Sequence, residues 1–106
     1  MEGNKMLHLT IKKKWFDMIK SGDKTEEYRD IKLYWIKRLK CSEMEDTGAI
    51  KFDNYFTHVT FYNGCAPSKK FPHFTMLIDH IDMGIGKEEW GAEPERRYFV
   101  IKVKST

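Results

Sequence analysis

At 106 residues, with 41% hydrophobic and 14% aromatic side chains, the chain has enough material for one domain, residues 1–106, with a buried core, and this composition is typical of a folded rather than a disordered chain. The formal net charge of +3 is compatible with a polyanionic partner but does not require one. Two cysteines, Cys41 and Cys65, and the lack of a long apolar run predict a reduced, cytoplasmic protein without a membrane span.

The chain begins with a predicted strand and helix. Over residues 6–11 apolar and polar side chains alternate, which indicates a strand with His8 on its solvent side. Over residues 12–21 the apolar side chains share one arc of a helix, and this places Trp15 and Phe16 in the core. The lysines at positions 12, 13 and 14 form either a solvated helix start or a phosphate contact.

The segment 22–29 is the richest in opposed charge. Gly22 is suited to end the helix in a left-handed conformation, and Lys24 then lies in the turn. From Thr25 the chain reads as a strand whose alternation puts Thr25, Glu27 and Arg29 on one face. Two cations around one carboxylate form either a polar binding cleft or a structural, salt-bridged strand face.

Residues 31–40 are predicted to form a second helix. Its buried arc contains Leu33 and Trp35, while Tyr34 and Arg38 point outward one turn apart. That pair is suited either to stack a base and hold its phosphate or to be an ordinary surface residue covered by an arginine stem. The acidic segment 41–55 is predicted to be a loop, either a mobile flap or a crossover.

The second half of the chain is predicted to be mostly strand. Strands are expected at residues 56–62, 74–84 and 97–104, and the second changes phase near Ile78, as a bulge or bend would. Trp90 stands in a glycine-bracketed loop, where it either lines a cleft or plugs the end of a barrel. These elements predict an α+β fold: a small, mainly antiparallel β-barrel of about five strands with two flanking helices.

Gly22, Lys24, Glu27 and Arg29 reproduce the spacing G-x-K-x-x-E-x-R. In this the chain resembles the ASCH domains, the activating-signal-cointegrator homology members of the PUA-like superfamily. The strand before a tryptophan-containing helix, the Phe-Tyr-Asn-Gly turn and the region from Trp90 to the final strand extend the resemblance over most of the chain. The resemblance implies a PUA-like barrel with a polar cleft beneath the motif that binds RNA or a modified nucleoside.

One bacterial branch of that family consists of small amidohydrolases that cleave N4-acetylcytidine with a motif lysine, a threonine three residues later and a downstream glutamate. Lys24 matches the lysine, whereas Glu27 occupies the threonine position and Thr25 offers a hydroxyl two residues earlier. Without the positioned hydroxyl, Glu27 would have to activate a water, with Lys24 or Arg29 polarising the carbonyl oxygen.

The predicted function is therefore binding of RNA or a nucleotide-like ligand. One alternative is an amidohydrolase, whose catalytic residues would be Lys24 and Glu27. The other alternative is a protein-interaction module. The predicted ligand-binding residues are Lys24, Thr25, Glu27, Tyr28, Arg29, Tyr34, Arg38 and Trp90. No metal or cofactor is predicted, because the four histidines lack metal-ligand spacing with each other or with the cysteines and the glycines match no phosphate or dinucleotide loop.

Overall fold

A computed structural model describes residues 5–43 and 47–104 of the chain. Within these ranges it contains seven strands, two α-helices and one 3-10 helix. In chain order they are β1 (Met6–Thr10), α1 (Lys13–Ser21), β2 (Glu26–Arg29), α2 (Leu33–Arg38), β3 (Cys41–Glu43), β4 (Ile50–Phe52), β5 (His58–Tyr62), β6 (His73–Ile85), the 3-10 helix (Glu88–Trp90) and β7 (Arg97–Val103).

Five of the strands form one curled sheet in the order β1-β5-β6-β7-β2, a half-barrel with β1 and β2 at its edges. Three of its four strand pairs are antiparallel, but β1 runs parallel to β5, so the sheet is a mixed half-barrel where a mainly antiparallel barrel was predicted. The long excursion through α1, β2 and α2 between β1 and β5 explains this, because such a crossover can return the chain in the same direction. The α+β class and the two helices are confirmed.

The prediction of a loop over residues 41–55 is wrong. β3 and β4 pair as an antiparallel hairpin, with Cys41 opposite Phe52. The prediction failed because the acidic composition of the segment is typical of a loop. Ile50 and Phe52 nevertheless alternate with polar neighbours and pack against the core. Residues 44–46 of the predicted acidic loop lie outside the described residues.

The core fills the concave side of the sheet. Leu7, Leu9, Phe61, Phe99 and Ile101 are buried there. α1 covers them with Phe16 and Ile19, as its apolar arc predicted, and ends at Gly22, whose φ of 91° is left-handed.

Helix α2 differs from its prediction. It is only six residues long and has no buried residue. Leu33, predicted to face the core, is 61% exposed, because so short a helix buries only the residue that follows it, Leu39. Tyr34 is exposed as predicted.

The bend in β6 is confirmed as a register shift between Ile78 and His80. β7 is buried on both faces, since Tyr98 and Val100 are covered as well as Phe99 and Ile101. The Tyr98 hydroxyl accepts a hydrogen bond of 2.9 Å from the Glu93 N–H.

The convex side of the sheet is uncharged where β1, β5 and the first half of β6 pair. The register aligns three rows of outward positions across these strands, and we call them the neutral face: Met6, His58 and Leu77; His8, Thr60 and Thr75; Thr10, Tyr62 and His73. In a chain with 33% charged residues, nine contiguous positions without Asp, Glu, Lys or Arg are a distinct surface, within which Thr60 and Tyr62 are buried.

The described helices include none that is both long and apolar enough to cross a bilayer.

Candidate functional site

A cleft of about 610 Å³ lies where the two edge strands of the half-barrel face each other. β1 and β2 both contribute lining residues, and α2 and the segment around Trp90 contribute others. Because β1 and β2 do not pair with each other, the sheet leaves an open seam at this point. The lining residues are His8, Leu9, Thr10, Ile11, Lys12, Trp15, Glu27, Tyr28, Arg29, Tyr34, Trp35, Arg38, Pro67, Trp90, Gly91 and Tyr98.

A buried chain of charges supports this cleft. The Lys24 side chain is 0% exposed, and its Nζ donates to Glu27 Oε1 at 2.5 Å and to the Glu26 carbonyl at 2.6 Å. Arg29 Nη1 donates to the other carboxylate oxygen of Glu27. The carboxylate is thus held between an ammonium behind it and a guanidinium at the cleft, which fixes the guanidinium in place.

Burial and pairing act in opposite directions on these groups. Burial by itself raises the pKa of Glu27, but Arg29 and Lys24 outweigh it, and the pKa lies below its ordinary value of 4.5. Glu27 is therefore ionised at neutral pH. Burial lowers the pKa of Lys24, and the Glu27 carboxylate opposes that shift only in part.

Two arginines connect the walls of the cleft. Arg29 Nη2, from β2, donates to the Thr10 carbonyl of β1 at 3.2 Å, and Arg38 Nη2, from α2, donates to the His8 carbonyl at 2.7 Å. Arg29 Nη1 also donates to the Tyr28 carbonyl at 2.8 Å. Each guanidinium has five N–H groups, so the bonds found among the described residues leave donors on both for a ligand.

Aromatic rings make up much of the remaining wall. The Arg29 guanidinium lies 5.3 Å from the Trp35 ring centroid, and Tyr34 packs edge-on against Trp35 with centroids 5.0 Å apart. Lys87, which is outside the lining, has its Nζ 4.3 Å from the centroid of the Trp90 ring. The cleft therefore combines aromatic faces with cations, the pairing that favours stacked, anionic ligands.

The segment after Trp90 is shaped to bring its ring to the cleft. Gly91 has a φ of 98°, and a Cβ there would lie 2.9 Å from the Trp15 ring. Only glycine both adopts this conformation readily and leaves space for Trp15. Trp90 is half-buried and lines the cleft, which is the first of its two predicted positions.

Tyr28 links the motif to the same segment. Its hydroxyl donates to Glu26 Oε1 at 2.8 Å and accepts from the Lys87 N–H at 3.0 Å. Burial is the main cause that raises the pKa of Tyr28 above its ordinary value of 10.0, so the phenol stays protonated at neutral pH. The ring, 5.5 Å from that of Tyr98, is one wall of the cleft.

Six of the eight predicted ligand-binding residues line the cleft, and two do not. Lys24 lies behind Glu27 without solvent access, and Thr25 is half-buried outside the lining. The six that line it are Glu27, Tyr28, Arg29, Tyr34, Arg38 and Trp90.

Sequence reasoning missed several lining residues. His8 was placed on the solvent side of β1, which is correct, but that side of an edge strand also borders the seam. Trp15 and Trp35 were placed in the core by their helical arcs, whereas both are half-buried and reach the cleft. A tryptophan side chain is large enough to pack against the core and also reach the cleft, so its size was the feature of the sequence that could have predicted both contacts.

In the part of the chain that the structure describes, no group of three or more His, Cys, Asp or Glu side chains is placed to hold a metal ion. Comparisons of this chain with protein-family models, with curated proteins and with solved structures find no match.

Proposed function

We propose that the cleft binds RNA or a nucleotide-like ligand, with a base stacked among its aromatic rings and a phosphate on its arginines. The observation that carries the proposal is the presence of three tryptophans and two guanidiniums on the lining of one cleft. Every nucleobase offers a π-face for stacking, and guanidinium groups bind phosphate in two-point geometry.

The charge balance of the lining supports an anionic ligand. Lys12, Arg29 and Arg38 contribute three positive charges, while Glu27 is the single carboxylate among the described residues that line the cleft. Both oxygens of Glu27 already accept bonds from cations, so it repels an incoming phosphate less than a free carboxylate would. A net positive, partly apolar cleft favours a nucleotide over a neutral or cationic ligand.

The geometry of the charged motif has a defined role in such binding. Lys24 neutralises Glu27 from behind, Glu27 orients Arg29, and Arg29 presents its remaining donors to the cleft. This pre-orientation reduces the entropy that the arginine would lose on binding. Lys24 in this scheme acts through Glu27 and does not touch the ligand.

Titration with uridine monophosphate, followed by tryptophan fluorescence, tests the proposal. Three tryptophans line the cleft, so occupancy should change the emission, and Trp90→Phe should remove part of that change. Arg38→Ala should weaken binding about tenfold, as expected when a charge-assisted hydrogen bond is removed. Lys37→Ala, its exposed neighbour on α2, is the matched control and should leave the affinity unchanged.

Added salt should weaken the binding of the nucleotide, because salt ions compete with the protein cations for its phosphate. Absence of any fluorescence change with millimolar nucleotide, or equal affinities of Arg38→Ala and Lys37→Ala, would exclude this function for the cleft.

Amide hydrolysis of an acylated nucleoside is the second candidate, and the observation that favours it is the ionised Glu27 carboxylate on the cleft wall beside a lysine of lowered pKa. In such a reaction Glu27 would accept a proton from a water while that water attacks the acyl carbon, and Arg29 would stabilise the oxyanion. The oxyanion would then collapse with cleavage of the acyl C–N bond, and the proton held by Glu27 would pass to the departing N4 amine, which gives acetate and cytidine. Release of cytidine from N4-acetylcytidine, abolished in Glu27→Gln, would establish it. Uridine monophosphate binding without any such turnover would leave binding as the function.

A further inference from the structure

We infer that the ligand of the cleft is one part of a single-stranded polynucleotide, whose adjoining nucleotides lie across the neutral face. This inference rests on the proposed function of the cleft and extends it to a second surface. The two surfaces are continuous, since His8 and Thr10 belong to the neutral face and also line the cleft.

The side-chain rings of His8, Tyr62 and His73 lie in a row across the neutral face, and we call this row the ring file. The ring centroids of His8 and Tyr62 are 5.8 Å apart, and those of Tyr62 and His73 are 5.4 Å apart. Tyr62 is only 5% exposed, whereas His8 and His73 at the two ends are exposed. A base can therefore stack against either end of the file, and the end formed by His8 is next to the cleft.

Hydrogen bonds hold the rings of this file in place before any ligand arrives. His8 Nδ1 and the Tyr62 hydroxyl share a bond of 2.9 Å. His73 Nδ1 is bonded to the Phe71 carbonyl at 2.8 Å, which restrains that ring as well. Rings that are already fixed lose little side-chain entropy when a base stacks on them.

The charge pattern around the face matches a polyanion. Although the chain has 16 Asp and Glu residues, none lies in residues 5–16 or 54–78, the two segments that supply β1, β5 and the facing half of β6. Lysines border the end of the face formed by Thr10, Tyr62 and His73, while Asp79 lies two residues beyond Leu77 at the other end. Lys12 follows β1, and the exposed Lys69 and Lys70 lie in the loop that joins Tyr62 to His73.

The fold brings these lysines to one end of the ring file. The loop is closed by a 2.9 Å bond from the Asn63 N–H to the Pro72 carbonyl, directly beyond Tyr62 and His73. At the same end, a hollow of about 330 Å³ is lined by Thr10, Ile11, Lys12, Asn63 and Gly64. Bases on the uncharged rings with phosphates at the bordering lysines are the arrangement that single-strand binding requires.

Fluorescence anisotropy with a labelled hexauridylate, compared with tryptophan titration by uridine monophosphate, tests the inference. The hexanucleotide should bind at least tenfold more tightly than the mononucleotide. His73→Ala should weaken hexanucleotide binding about five- to tenfold, because it removes a stacking ring, and should leave mononucleotide binding unchanged, since His73 does not line the cleft. His80→Ala, a histidine on β6 outside the neutral face, is the matched control.

The bordering lysines have their own readout. In Lys69→Ala with Lys70→Ala, the slope of log affinity against log salt for the hexanucleotide should become shallower by about 0.7 for each phosphate that these lysines neutralise. Lys51→Ala on β4 should leave that slope unchanged.

Three results would overturn the inference, and they differ from one another. Equal affinity for the two probes, with no effect of His73→Ala, would leave the proposed function of the cleft and remove the second surface. Failure of both probes to bind would remove the cleft function as well. If sedimentation shows a dimer that His73→Ala dissociates, the neutral face contacts a second copy of the chain instead.

Discussion

Replacing Lys24 by methionine is the most direct test of the charge arrangement behind the cleft. Methionine keeps much of the length of the lysine stem but removes the ammonium that donates to Glu27 and to the Glu26 carbonyl. Glu27 is then a buried carboxylate with Arg29 as its one remaining cation among the described residues. Removal of one partner from a buried ion pair costs about 3–5 kcal/mol, and because Arg29 remains we expect about 3 kcal/mol for Lys24→Met.

The size of the interaction itself comes from a double-mutant cycle. Glu27→Gln alone should also cost about 3 kcal/mol, because it leaves the Lys24 ammonium buried without its carboxylate. In the double variant each change should cost less than it does alone, giving a coupling free energy of about 2 kcal/mol. Urea unfolding followed by tryptophan fluorescence measures all four proteins, with Lys20→Met on the exposed face of α1 as the control.

Two outcomes of that cycle would contradict the pairing of Lys24 with Glu27. A Lys24→Met protein within about 1 kcal/mol of the wild type would mean that the ammonium is not paired as described. Additive single changes would mean that Lys24 and Glu27 stabilise the fold independently.

Acidification, the cleft wall and α2 each give a further test. The folded-state pKa of Glu27 lies below 4.5, so the stability that Glu27 contributes is present above that value and is lost as the pH falls through the folded-state pKa. Between about pH 5 and 3, the urea midpoint should therefore fall less steeply in Glu27→Gln than in the wild type. Gly91→Ala should destabilise by about 1–2 kcal/mol, seen as a lower melting temperature, because alanine resists the positive φ and its Cβ meets Trp15; a gain in melting temperature would contradict this. Arg38→Ala should speed amide hydrogen exchange in α2 and leave exchange in α1 unchanged, because α2 has no buried residue and Arg38 bonds it to β1. Equal exchange rates of α2 in the wild type and in Arg38→Ala would mean that this hydrogen bond does not hold the helix.

The elements whose side chains alternate or recur strictly were predictable. Leu7 and Leu9 mark β1, and Phe16 with Ile19 marks α1, because each of these side chains faces the core and the periodicity of the sequence shows this directly. The hairpin of β3 and β4 was missed, since strands of three residues contain too few positions to establish alternation among acidic neighbours. The direction of β1 relative to β5 could not be predicted either, because apolar and polar side chains alternate in the same way in parallel and antiparallel strand pairs.

For the site, the motif predicted which charged side chains lie close together but not how deeply each of them is buried. Strand alternation placed Glu27 and Arg29 on one face, and the structure has both on the concave side of β2. It could not show that Lys24 points behind Glu27, because Lys24 lies in a turn without a period. Arg38 and His8 meet across 30 residues of chain, a contact that no local pattern contains.

Both walls of the cleft depend on strands that are synthesised much later than the walls themselves. Met6 in β1 pairs with His58, and Arg29 in β2 pairs with Phe99 in the last strand. Contacts so distant along the chain form slowly, because a long loop must close before they stabilise anything. The cleft should therefore be among the last parts to form during folding, and a chain truncated before β7 would lack the partner that holds the motif strand in the sheet.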